Sequence, residues 1–147
     1  MWKLEASERI VHWRAFRLAI GGMPLERAIQ VTAEYWQNCP YHPYYLDPND
    51  AESWPSAWDL ITENYYCDLA KSLGMLYTIA YSAHGHDLPM KICVYNNPET
   101  GYEYNLAIFD EGKYVINFMD GEIVNIELVE EKSKLKRCYD SKLLKLK

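Results

Sequence analysis

The sequence predicts an α+β domain: an N-terminal helical hairpin and a third helix packed on an antiparallel sheet. Three observations carry this. Apolar residues recur at helical spacing through the first half of the chain, and strand-forming runs replace them after about residue 75. The runs are separated by turn chemistry, at Asn96-Asn97-Pro98-Glu99-Thr100-Gly101, Asp110-Glu111-Gly112 and Asp120-Gly121. Helices first and strands second is the pattern of α+β rather than of alternating α/β. A length of 147 residues suits one domain with its own core.

Taken in order, Ser7 is placed to cap a first helix carrying Ile10, Trp13, either Phe16 or Arg17, and Ile20 at helical spacing, and Gly21-Gly22 supply its stop. Pro24 suits the first turn of a second helix, whose stripe is Leu25, Ala28, Ile29, Thr32, Tyr35 and Trp36. Residues 1–38 thus form the hairpin. Residues 39–55 hold four prolines (Pro40, Pro43, Pro48, Pro55) among Tyr41, Tyr44, Tyr45 and Trp54, a density that blocks helix and central strand alike. This long loop offers its aromatics to the body or to a partner. Ser56-Ala57-Trp58-Asp59 reads as a capping box. It opens a third helix over 57–73 with Ala57, Ile61, Tyr65, Leu69 and Leu73 on one face and Gly74 as its stop. Trp58 is expected in the core. Strands are expected over 75–82, 90–96, 102–109, 113–118 and 122–129. Residues 56–131 therefore form the helix-plus-sheet body, and residues 132–147 a basic tail. In that tail Leu135, Cys138 and Leu143 fit either a helix face or the inner face of a last strand.

Charge is unevenly placed. The net charge of −6 divides into about −12 through Glu131 and about +6 beyond it. An acidic body does not suit nucleic acid, which needs clustered positive charge, so no nucleic-acid partner is expected. The tail is expected to dock on an acidic surface of the body or of another copy, with Leu135, Leu143, Leu144 and Leu146 supplying apolar contact. Cys39, Cys67, Cys93 and Cys138 lack CxxC spacing, so no zinc knuckle or redox pair is expected. Met1-Trp2-Lys3-Leu4-Glu5 turns charged at once, which argues for folding in the cytoplasm with reduced thiols. No apolar run approaches the roughly twenty residues of a membrane span.

Candidate chemistry is sparse. Cys67 falls in the middle of the expected third helix, where the helix dipole lends a thiolate little help, so it reads as a buried apolar cysteine. His84 and His86, followed by Asp87, have the look of metal ligands but lack a convergent partner pair. His12 and His42 read as packing or surface residues. No glycine-rich phosphate cradle and no Gly-x-Ser-x-Gly elbow is present.

From Ser56-Ala57-Trp58-Asp59-Leu60, through Leu73-Gly74-Met75-Leu76-Tyr77-Thr78, to Tyr104-Asn105-Leu106-Ala107-Ile108-Phe109 and Lys113-Tyr114-Val115-Ile116-Asn117, the order resembles the transglutaminase-like fold. The resemblance implies a helix opening on a nucleophilic Cys, followed by strands carrying a His and an Asp. Those places fall near Trp58, near Glu103 or Tyr104, and near Asn117, so the resemblance implies a degenerate scaffold without catalytic, cofactor or metal residues. The run Trp54-Pro55-Ser56-Ala57-Trp58-Asp59-Leu60-Ile61, with Tyr66-Cys67-Asp68-Leu69-Ala70, also resembles small proteins of large tailed bacteriophages. That resemblance implies a non-enzymatic structural or assembly component of a virion, made in the host cytoplasm. Such a component contacts other virion proteins, including copies of itself, through Tyr41, Tyr44, Tyr45 and the tail leucines. The alternatives are a transglutaminase-like cysteine hydrolase or transferase, and a phage inhibitor that binds a host factor.

Overall fold

The computed structural model describes residues 1–147 except Tyr44, 141–143 and 145–147. Helix α1 spans Ala6–Gly21 and α2 spans Leu25–Gln37. Phe16 of α1 stacks on Tyr35 of α2 at 3.9 Å, which closes the expected hairpin. The Gly22 stop forms as read, but Ser7 is no cap: α1 starts at Ala6 behind Glu5, without a side-chain capping bond. Arg9 holds the chain start instead, its guanidinium donating to the carbonyls of Trp2, Leu4 and Glu63. The α2 stripe is buried at Ala28, Ile29, Thr32, Ala33 and Trp36.

The third helix is two helices. Ser56 caps α3 (Ala57–Ile61) by accepting from the Asp59 N–H, as the capping box predicts. The chain then leaves helical geometry, and α4 runs Asp68–Ala80. The reason lies in Tyr66, which forms a parallel bridge with Tyr41. Its N–H donates to Pro40 O at 2.8 Å, its carbonyl accepts from the His42 N–H, and its hydroxyl donates to Leu60 O at 2.7 Å. Arg9 takes the Glu63 carbonyl as well. With those groups engaged elsewhere, a continuous helical ladder across 62–67 is lost.

Nor does Gly74 end a helix or 75–82 form a strand. Gly74 and residues 75–80 lie in α4, which is buried on nearly every side from Leu69 to Ile79. A helix enclosed all round loses the amphipathic period, and its apolar run then looks like a strand. The glycine has another use: a Cβ there would overlap the Trp36 ring. Below that contact the Thr78 hydroxyl accepts from the indole N–H groups of Trp13 and Trp36, each at 2.9 Å, and donates to Gly74 O at 2.6 Å.

The sheet has the order β3-β2-β1-β4, each neighbouring pair antiparallel. Its strands are β1 (Met90–Asn96), β2 (Glu103–Phe109), β3 (Tyr114–Ile116) and β4 (Lys134–Asp140). One face, with Ile92, Ala107, Phe109 and Ile116, joins the helical core. The other face carries Cys93, Tyr95, Leu106, Ile108 and Val115 and packs with Val124 and Val129. The strand expected over 122–129 is a single bridge, Val124 to Val115, followed by α5 (Ile126–Glu130). Asn125 nucleates that short helix by accepting from the Leu128 N–H at 3.0 Å.

Residues 134–140 of the tail form β4, paired to β1, so Leu135 and Cys138 lie on a strand; Leu135 is exposed rather than on an inner face, and Leu143 lies outside the described residues. A register shift beside Val94 and Tyr95 leaves Lys136 extra, and its ammonium pairs with Glu103. Cys93 and Cys138 face one another across β1 and β4 as a disulfide, so the expectation of four reduced thiols is corrected. Their separation of 45 residues hid a pairing that only the strand register brings together. Cys39 and Cys67 remain free and buried.

Trp58 also departs from expectation. It is 41% exposed rather than in the core. Its ring meets Trp13 edge-on at 5.4 Å, with the Arg17 guanidinium over both rings. Because the Trp58 side chain is partly in solvent while Ala57, Leu60 and Ile61 bury the other side of α3, Trp58→Ala should cost about 1–2 kcal/mol, below the range for a core aromatic. Urea melts check this; a loss above about 3 kcal/mol would contradict the surface placement.

Candidate binding cleft at the start of the sheet-packing helix

The helix that packs on the sheet opens at Cys67, its N-cap residue, in extended conformation (φ −80°, ψ 177°). Cys67 is thus at a helix start, not mid-helix as its spacing suggested. It is only 4% exposed, yet its atoms join Asp68, Leu69, Tyr41, Pro48 and Tyr102 in lining a cleft of about 390 Å³. Tyr41 is 63% and Tyr102 55% exposed, so the rims are aromatic and open to solvent. No histidine lines this cleft among the described residues.

Beneath the cleft lies a polar network that the sequence reading missed. Asp68 Oδ2 accepts from the backbone N–H of Asn105 at 3.3 Å and from its side-chain amide at 3.1 Å. Asp68 Oδ1 accepts from the Asn117 amide at 3.1 Å. That same amide lies 2.9 Å from both Ser72 Oγ and Asn105 O, and Ser72 in turn donates to Asn105 O. The first turn of α4 is thereby pinned to β2 and to the residue after β3. Asn117 reaches the network from a left-handed backbone (φ 73°), a conformation asparagine tolerates better than most residues. Asn105 Oδ1 is buried with no partner among the described residues, so the network is not fully paired.

Burial raises the Asp68 carboxyl above its ordinary range, against the opposing hydrogen bonds from Asn105 and Asn117 and the nearby Lys71 charge. The native state therefore holds the Asp68 proton to higher pH than the unfolded chain does. Its contribution to stability is full below the unfolded value near 4 and falls as pH rises through the native value. Asp68→Asn should accordingly gain on the wild type as pH rises from about 4 to 7. Paired urea melts across that window check the sign; a difference flat with pH, or moving the other way, would contradict it. Burial also pushes the Cys39 thiol up to about 12.

The remaining candidates are dispersed. His12 bonds the Tyr35 hydroxyl at 2.9 Å, and the His42 ring lies against Tyr65. His84 reaches Ile20 O at 3.0 Å, and exposed His86 lies 3.3 Å from Asp87. Among the described residues no group of three or more His, Cys, Asp or Glu side chains could hold a metal ion. No helix there is long and apolar enough to cross a membrane. Of the expected contact residues, Tyr41 is on the cleft rim, Tyr45 is half-buried and Leu135 is exposed on β4. Leu144 is buried in the main core, while Tyr44, Leu143 and Leu146 lie outside the described residues.

Helices packed on a four-stranded antiparallel sheet make an α+β fold of the transglutaminase-like kind. Solved structures of Legionella pneumophila LapG share it. The calcium-bound form matches with a TM-score of 0.72 at 8% identity, over 95% of this chain and 78% of that one. A second LapG structure gives 0.70 at 10% identity over 92% and 76%, and the EGTA-treated form 0.68 at 13% over 95% and 84%. At such identities the likeness carries the fold alone. No family model and no curated protein matches the sequence. The structural likeness supports the transglutaminase-like fold that the sequence resembles, and none of these structures bears on a virion role.

Proposed function

We propose that this chain is a non-catalytic transglutaminase-like domain that works by binding another protein at the cleft beside Cys67. The observation that carries the reading is the Asp68–Asn105–Asn117 network. Acyl transfer by a cysteine needs a base within hydrogen-bond reach of the thiol and a third group to orient that base. No histidine lines the cleft around Cys67 among the described residues; the Asn105 and Asn117 amides neither accept nor release a proton near neutral pH, and the adjacent Asp68 carboxyl is engaged by both of them. Fold alone supplies no chemistry. What remains is a cleft with exposed tyrosines on its rims, the amphipathic type enriched at protein interfaces. A virion-assembly setting for this binding rests on the sequence resemblance to phage proteins.

A second reading, a cysteine hydrolase or transferase, is favoured by one observation: Cys67 stands at the start of the helix that packs on the sheet. Exposure to p-nitrophenyl acetate separates the two. Intact-mass analysis should show no acylation of Cys67 followed by turnover. Turnover that disappears in Cys67→Ala would establish the second reading and end the first.

A further inference from the structure

We propose that the Cys93–Cys138 disulfide is a redox clasp that sets the mobility of one wall of the cleft. The inference concerns regulation of the site proposed above and rests on that reading for its meaning, though not for its test.

The clasp is connected to the cleft by a short run of contacts. Cys138 lies on the edge strand β4, whose residues 134–136 are exposed and whose pairing to β1 is interrupted by the extra Lys136. An edge strand with few buried side chains and a broken ladder is weakly held by packing alone. One residue beyond the disulfide, Tyr139 turns toward the proline loop: its hydroxyl donates to Pro48 O at 2.8 Å, and its ring meets Trp54 edge-on at 4.8 Å. Trp54 is itself buried and donates its indole N–H to Asp47 O at 2.7 Å. Pro48 and nearby Leu46 line the same cleft as Cys67. The disulfide therefore fixes β4, β4 carries Tyr139, and Tyr139 pins the loop that forms the wall. Opening the clasp removes the covalent link in that series while leaving α2 and α4 untouched.

The two sulfurs differ in access. Cys93 is fully buried and Cys138 half-buried, so an external dithiol meets Cys138 first. Its thiolate attacks Cys138 Sγ, the bond to Cys93 breaks, and the electron pair leaves on the Cys93 sulfur, which takes up a proton. The second thiol of the reagent then displaces Cys138 and closes the reagent's own disulfide. The protein gains two electrons and two protons, and the dithiol loses them.

Hydrogen exchange on the intact protein, with and without dithiothreitol, tests this. The amides of Asp50, Ser53 and Trp54, bonded within the loop to Asp47, Asp50 and Ala51, report on the wall. On reduction they should exchange at least tenfold faster, while the amides of α4 keep their protection. Tyr139→Ala, with the disulfide intact, should loosen the same loop amides. Four titratable thiols in the unreduced protein, unchanged loop exchange on reduction, equal loss of protection in α4, or no effect of Tyr139→Ala would each overturn the proposal. Because the readout needs no ligand, its failure is separable from failure of the binding reading.

Discussion

Replacing Thr78 by valine should cost the fold about 3–5 kcal/mol although the side-chain volume is conserved. The hydroxyl serves three buried groups at once, accepting from Trp13 Nε1 and Trp36 Nε1 and donating to Gly74 O. Valine keeps the methyl packing and leaves two indole N–H groups without an acceptor, in a core where Trp13 and Trp36 are each only 1% exposed. A buried donor left unpaired costs about 1–3 kcal/mol, and two are created here. Serine retains the hydroxyl, so Thr78→Ser should cost far less. Chemical denaturation of the pair is the check. Equal losses in valine and serine would mean that packing rather than hydrogen bonding holds the hub.

Gly74→Ala should destabilise by up to about 2 kcal/mol, against the usual direction. In a helix interior alanine is ordinarily favoured over glycine by about 1 kcal/mol. Here the added methyl runs into the six-membered ring of Trp36, which has no room to yield because its indole is bonded to Thr78. Overpacking of this kind costs about 1–3 kcal/mol or more, and it outweighs the propensity gain. A denaturation midpoint at or above that of the wild type would show that Trp36 can repack. In Trp36→Leu, where that ring is gone, the same glycine substitution should become nearly neutral, since the two residues are coupled by contact.

Much of the fold was legible because local chemistry decided it. Pro24, the Ser56 capping box and the turn at Asn97 to Gly101 marked boundaries that the chain uses. The interval 90–96 was read to the residue, since β1 is short, apolar and bounded by turns. The errors came where tertiary contacts overrode spacing. Ala57, Ile61, Tyr65, Leu69 and Leu73 do recur every four residues, but the Tyr41–Tyr66 bridge interrupts the helix that spacing implies. The enclosed helix α4 lost its amphipathic signal, so 75–82 resembled a strand and Gly74 resembled a stop. The candidate site suffered most from that break. Once Cys67 was placed mid-helix, nothing pointed to a helix start there. Asp68, Ser72, Asn105 and Asn117 are spread over 50 residues and meet only through the sheet. Asn117 alone stood at a position the fold resemblance had marked.

Reactivity of the Cys67 thiol separates a binding domain from an enzyme. Native protein is treated with iodoacetamide at pH 7, and carbamidomethylation of Cys67 is followed by peptide mapping against the same protein in urea. A cysteine only 4% exposed, in a cleft that no histidine lines among the described residues, predicts labelling at least tenfold slower in the native state than in the unfolded chain. Selective labelling of Cys67 faster than in urea would mean that an activated thiolate is present, and the domain would be an enzyme.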